Sequence, residues 1–271
     1  MKRLVYIISD GTGLTAESLA NSLLSQFENI EFEKISIPYI DSIDKVKALM
    51  SQVHHSYKET GVKPLIFMTL VDPKISSYIN QVDAYVFDLL NTFLAPLEIA
   101  LHTKSSYTVG RTHGVSDLES YHHRIEAVNY TLNHDDGIKT RDYDKADIIL
   151  IGVSRCGKTP SCLYMALQFG ILAANYPFTE DDLSDFRLPD SLRPFKSKLF
   201  GLTIDPQRLQ QIRSERRPNS QYASSEQCRI ETSEVEAMYQ RENIPFLNST
   251  SYSIEEIATK IMTTTGLKRR L

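Results

Sequence analysis

The chain has 271 residues, 41% hydrophobic and 24% charged, the proportions of a globular protein long enough to bury one or two cores. Thirty Lys and Arg stand against 34 Asp and Glu, a formal charge of −4, which excludes a polybasic nucleic-acid coat and argues against a disordered acidic tail. No apolar run approaches the ~18 residues of a membrane span, and three cysteines without a CxxC argue against a disulfide framework or structural zinc. Neither nucleic acid nor a membrane is therefore an expected partner, and a reducing cytoplasm is the expected compartment.

Leu4-Val5-Tyr6-Ile7-Ile8 is a short continuous apolar run, the pattern of a strand buried on both faces. It is too short for the roughly 7–15 apolar residues of a secretory signal. It ends in Ser9-Asp10-Gly11-Thr12-Gly13, and residues 15–27 follow with Leu19, Leu23 and Leu24 at helical spacing. Residues 35–40 read as a strand, 43–57 as a helix, and 64–70 as a third strand closed by Asp72-Pro73. Helical patterns run over 74–80 and 85–102. Strand alternating with helix predicts a parallel sheet with crossover helices.

Between residues 103 and 114 the pattern lapses, and 121–132 then reads as a helix with Ile125, Val128 and Leu132 on one face. His134-Asp135-Asp136-Gly137 stops it. A second α/β series starts at Ala146. The expected organisation is an N-terminal α/β domain with a parallel sheet over 1–105, a connecting helix and loops over 106–145, and, because residues 152–159 read GVSRCGKT after an apolar run, a P-loop kinase-like α/β domain over 146–271. No internal repeat is visible in the sequence.

The strand Ile148–Ile151 leads into Gly152-Val153-Ser154-Arg155-Cys156-Gly157-Lys158-Thr159, which is GxxxxGK[ST], a phosphate-binding loop. Its glycines let backbone N–H groups turn inward as an anion nest. Lys158 supplies a cation for the terminal phosphates and Thr159 a hydroxyl for Mg²⁺. The helix that follows points its positive end at the same phosphates, and Pro160 suits its first turn. A surface lysine beside a glycine turn is the bland alternative, but a buried strand running in and a helix running out match the binding mechanism.

Such a loop needs a carboxylate for the metal at the end of a neighbouring strand. The run 198–206 ends an apolar strand in Asp205-Pro206, so Asp205 is a candidate metal ligand, or else the cap of the next helix. Arg213, Arg216 and Arg217 form either a solvated basic helix end or an arginine-bearing lid. Glu256 three residues after Ser253 predicts a capping box at a final helix.

Asp10-Gly11-Thr12-Gly13 sits where open α/β sheets place ligands, but lacks GxGxxG spacing and suits a helix-capping turn equally. Gly110-Arg111-Thr112-His113-Gly114 gathers a cation, a hydroxyl and an imidazole suited to phosphate contact. The adjacent rings of His122 and His123 diverge on a helix, a poor spacing for a shared metal. Phosphorylation of a hydroxyl needs a carboxylate base, and Asp136, just upstream of the loop strand, is the leading candidate.

Taken in order, ISDGTG-TAE (8–17), GRTHG (110–114), YTL-HDDG (130–137), IGVSRCGKTP (151–160), AANYPF (173–178), KLFGLTIDP (198–206) and NSTSYSIEEIATKI (248–261) are distinctive. Together they resemble the bacterial regulatory proteins of phosphoenolpyruvate synthase and of pyruvate, phosphate dikinase, over nearly the whole chain. IGVSRCGKTP, AANYPF and ERRPNSQYAS look closer to the synthase branch. Phe246 and Leu247 stand where that family leads one to expect a larger aromatic and an isoleucine.

The resemblance implies a bifunctional regulator. Its kinase activity moves the β-phosphoryl group of ADP to a threonine of the target enzyme, inactivating it and releasing AMP. Its pyrophosphorylase activity uses inorganic phosphate to remove that group as pyrophosphate. The implied binding loop is Gly152 to Thr159, with Lys158, Asp136 and Asp205 as catalytic candidates, Thr159 and Asp205 as candidate Mg²⁺ ligands, and phosphoenolpyruvate synthase or the dikinase as protein substrate. Chain size makes a homodimer the expectation for assembly. The competing readings are a small-molecule P-loop kinase using ATP and a nucleotide-sensing module without turnover.

Overall fold

Eight strands form two four-stranded sheets, parallel throughout, in the computed structural model, which describes residues 2–108, 118–137, 140–179, 182 and 187–270. The chain divides into two compact units, Met1–Gly114 and Val115–Leu271, with one sheet in each. The α/β class with parallel sheets is the one expected from the alternation of strand and helix.

In the first unit β1 (Lys2–Ser9) lies between β2 (Glu31–Ile37) and β3 (Leu65–Thr69), with β4 (Tyr85–Asp88) outside β3. Successive β1 side chains point to opposite faces. Tyr6 and Ile8 pack with Val46, Leu49 and Val53 of α2 (Ile43–Thr60) and with Ile75 and Ile79 of α3 (Pro73–Ile79). Val5 and Ile7 pack with Ala16, Ala20 and Leu24 of α1 (Leu14–Leu24). Two covered faces explain why the run carries no polar residue.

Two sequence expectations change here. Leu19 and Leu23 of α1 are exposed, and the buried stripe is Ala16, Ala20 and Leu24. Small side chains let the helix lie close to the sheet, so the contact face is not the bulkiest one. The expected helix over 85–102 divides, because Tyr85–Asp88 pairs with Leu65–Met68 and only α4 (Asn91–Leu101) is helical. Asp88 makes the break: its carboxylate accepts from the backbone N–H groups of Leu90 and Asn91 and from the Asn91 amide.

In the second unit α5 (Leu118–Asn133) precedes a short 3₁₀ turn, Asp135–Gly137, and β5 (Ile148–Gly152). There follow α6 (Lys158–Phe169), β6 (Ala173–Pro177), β7 (Leu199–Thr203), α7 (Pro206–Arg216), α8 (Ser225–Glu242), β8 (Phe246–Asn248) and α9 (Ile254–Thr265). The sheet order is β6-β5-β7-β8. All five β5 residues are buried. On α5 the expected face shifts in part: Ile125 and Leu132 are exposed, Val128 packs half-buried against the core cluster that Ala127 shares with Ala166 of α6, and Ala127 and Thr131 are buried. The Ser253–Glu256 capping box is present at the start of α9.

Both sheets place their first strand between the second and third, with the fourth outside. The topology is thus repeated although no sequence repeat is visible. In each unit the loop after the central strand emerges where the chain departs to opposite sides, the position at which open α/β sheets bind ligands. Among the described residues no helix is long and apolar enough to cross a membrane.

Candidate functional site

The loop after β5 is set by backbone conformation. Gly152 has φ 156°, and a Cβ there would run into the Leu202 carbonyl oxygen of β7. Arg155 and Gly157 have φ 78° and 94°, with Cys156 between them. Left-handed residues in alternation turn successive N–H groups toward one side, which is the geometry of an anion nest. Gly157 is the N-cap of α6, so the positive end of that helix opens onto the same concavity.

Lys158 is only 5% exposed. Its ammonium donates to the carbonyls of Gly152 at 3.0 Å and Val153 at 2.9 Å, curling the side chain back over the loop. A buried cation needs such partners. Phosphate oxygens are stronger acceptors than carbonyls, so the same ammonium is placed to exchange these bonds for an anion.

Neighbouring elements hold the loop in place. Tyr239 of α8 is fully buried, and its hydroxyl donates to Ile151 O at 3.0 Å and lies 3.3 Å from Leu202 O, between β5 and β7. Gly201 is required beneath it, since a Cβ would stand 2.6 Å from the Tyr239 ring. Ser249 Oγ donates to Cys156 O at 2.9 Å. On the other side the Tyr222 hydroxyl donates to Ser154 Oγ at 3.0 Å, and Arg213 Nη2 donates to Ser154 O at 3.3 Å. Arg213 is buried and paired with Glu231, so it is a fixed brace of the loop and not part of a mobile lid. Arg216 and Arg217 are exposed at the end of α7.

The HDDG segment splits its two carboxylates. Asp135 Oδ1 accepts from the Thr159 hydroxyl at 2.9 Å and from the Asn175 amide of β6. Asp136 is exposed, in a left-handed conformation (φ 52°), and Gly137 follows at φ 68° against the Tyr176 ring. His134 is buried, stacked on Tyr130 with ring centroids 4.0 Å apart, its Nδ1 2.7 Å from Tyr130 O. The turn thus anchors itself through His134 and presents one acid inward and one outward.

Asp205 caps α7, its Oδ1 accepting from the N–H groups of Gln207 and Arg208 at 2.9 and 3.1 Å. Of the two roles read for it from sequence, the cap is the one the hydrogen bonds display. Asp10 accepts from Val71 N at 2.6 Å at the mouth of a cleft of about 440 Å³ in the first unit. Burial pushes its carboxyl above the usual range, against the opposing pull of that hydrogen bond. Gly110 to Gly114 lies outside the described residues. His122 and His123 are exposed on α5.

The sequence reading did not single out Asp135, Asn175, Tyr222, Glu231, Tyr239 or Ser249. Asp135, Asn175, Tyr222 and Ser249 lie inside motifs quoted above, which is a usable signal. Glu231 and Tyr239 sit in an ordinary helix and carried none.

A family model described as kinase/pyrophosphorylase matches residues 5–262. A protein of Legionella pneumophila (strain Lens) is 69% identical over 271 residues, covering all of both chains. Proteins of Marinobacter nauticus and Hahella chejuensis are each 56% identical, over 99% and 100% of both chains respectively. All three carry the name "Putative phosphoenolpyruvate synthase regulatory protein".

Proposed function

The chain belongs to the kinase/pyrophosphorylase family, and on that premise we propose that it regulates phosphoenolpyruvate synthase by reversible phosphorylation of a threonine, with ADP as donor. The observation that carries this reading is the loop from Gly152 to Thr159, with its left-handed residues and the Lys158 ammonium curled over it. The names of the full-length relatives support the synthase as target.

In the forward direction the loop N–H groups and Lys158 hold the diphosphate of ADP with its β-phosphorus toward the incoming hydroxyl. The threonine oxygen forms a bond to that phosphorus, the bond to the bridging oxygen breaks, and AMP leaves. Asp136, exposed at the edge of the turn, accepts the hydroxyl proton. In the reverse direction inorganic phosphate occupies the same nest and its oxygen attacks the phosphothreonine phosphorus. Pyrophosphate leaves, and the departing threonine oxygen takes up a proton. Little of this is covalent work for the protein; positioning and charge neutralisation carry it. Mg²⁺, when bound beside Thr159, adds to that neutralisation.

The test mixes the protein with ADP and either phosphoenolpyruvate synthase or pyruvate, phosphate dikinase, then measures phosphothreonine and AMP. Addition of phosphate to the modified enzyme should then yield pyrophosphate. Phosphothreonine on the synthase supports the proposal, and phosphothreonine on the dikinase alone moves the target but keeps the chemistry. No phosphothreonine on either enzyme, with ATP-dependent phosphorylation of a metabolite, overturns it in favour of a small-molecule kinase.

A further inference from the structure

The carboxylate that meets Thr159 is Asp135, on the turn after α5, at 2.9 Å. Asp205 has its Oδ1 engaged by two amides of α7. Beside the Thr159–Asp135 pair lies Asn175, 1% exposed, its amide nitrogen against Asp135 Oδ1 and 3.0 Å from Thr159 Oγ1. The oxygen of that amide is buried with no hydrogen-bond partner among the described residues. An unsatisfied buried acceptor is costly, and such atoms in a native fold call for a reason.

Half a turn of the Asn175 amide exchanges its nitrogen and oxygen. The oxygen then faces Asp135 Oδ1 and Thr159 Oγ1. The Thr159 hydroxyl proton serves only one of its two neighbours, so the carboxylate and amide oxygens repel each other unless a cation lies between them, and a carboxylate, a hydroxyl and an amide oxygen are donors that a hard divalent ion prefers. One carboxylate and two neutral oxygens make a weak cage alone, so phosphate oxygens and water must complete the shell, as Mg²⁺ sites commonly require.

We infer that Asp135, with Thr159 and the Asn175 amide oxygen, forms the protein side of the divalent-cation site that accompanies ADP, and that Asp205 does not. The inference rests on the reading of the loop as an ADP site. Asn175 donates to Asp135 in the metal-free protein and turns its oxygen inward when the ion arrives.

The experiment measures ADP affinity by calorimetry with and without Mg²⁺, using the full chain. Mg²⁺ should tighten ADP binding to the unsubstituted protein. Asp135→Asn should keep its metal-free ADP affinity and lose the Mg²⁺ gain by about tenfold or more. Asp205→Asn should keep the gain. Asn175→Asp, which puts a charged oxygen in place of a neutral one, should enlarge the Mg²⁺-dependent rise in melting temperature seen with ADP. Retention of the full gain in Asp135→Asn, or its loss in Asp205→Asn, overturns the inference and leaves the ADP reading standing. So does ADP affinity that ignores Mg²⁺ in the unsubstituted protein. Failure of that protein to bind ADP at all overturns both.

Discussion

Arg213 and Glu231 form a forked ion pair inside the second unit, Nη1 donating to Oε1 at 3.1 Å and Nη2 to Oε2 at 2.6 Å. Their side chains are 1% and 9% exposed. Burial alone would push the guanidinium toward neutrality, and the Glu231 carboxylate outweighs it, raising the pKa above the usual arginine value. The same guanidinium stacks over the Tyr222 ring at 4.1 Å and donates to Ser154 O. One buried pair therefore ties α7 and α8 to the loop after β5.

Breaking that pair leaves a charge buried without a partner, which is strongly destabilising. Glu231→Gln is expected to lower unfolding stability by about 3–5 kcal/mol in urea titrations and, because Arg213 loses the carboxylate that holds it against Ser154, to weaken ADP binding. A loss below about 1 kcal/mol, the scale of an exposed ion pair, would show that the fork does not brace the loop.

The two loop glycines differ in why they are glycines. At Gly152 a methyl group meets the Leu202 carbonyl, whereas at Gly157 it meets nothing within 4 Å and only φ is unfavourable. Gly157→Ala should therefore cost about 1 kcal/mol, the penalty of a left-handed alanine, and Gly152→Ala about 1–3 kcal/mol more from the added steric conflict. Equal denaturation midpoints for the two variants would contradict this account.

Lys158→Ala should abolish both the phosphorylation and the phosphate-dependent reaction, because each needs the same cation over the nest. Asp136→Asn should slow phosphorylation by about 10²-fold or more, the usual contribution of a general base, while ADP affinity measured by calorimetry stays within error. If ADP affinity falls instead, Asp136 serves binding and the base must be sought elsewhere.

All three cysteines are buried. Burial is the main cause that pushes the thiols of Cys156, Cys162 and Cys228 above the ordinary range, in Cys156 despite the nearby Lys158. A raised thiol pKa means less thiolate at any pH below it, and the thiolate is the nucleophile. Ellman's reagent at pH 8 should therefore detect no thiol in the folded protein and all three in denaturant. Rapid reaction of the folded protein would mean that the packing over at least one of these thiols opens in solution.

The sheets and the loop were legible because their signals are local. Apolar runs such as 4–8 and 148–151 advertise strands covered on both faces, and eight consecutive residues contain the whole of the GxxxxGK[ST] pattern. Periodicity places only Leu24 and Val128 correctly on the packed faces of α1 and α5, because it weighs large side chains, whereas close helix packing also selects Ala16, Ala20, Ala127 and Thr131. The strand at Tyr85–Asp88 was hidden because four residues alternate too briefly to announce an edge strand.

By itself, then, the sequence determined the α/β class, the position of the GxxxxGK[ST] pattern and the family, since each depends on short-range pattern or on ordered motifs along the chain. Tertiary structure decided which groups the loop meets. Asp135 reaches Thr159 across 24 residues, and Arg213 reaches Ser154 across 59. Two adjacent aspartates are equivalent in a sequence; the left-handed turn at Asp136 sends one inward and one outward. An arginine at a basic helix end reads as solvated until the helix is packed, and then Glu231 makes its burial stable. Those choices depend on where distant side chains converge, which no local pattern records.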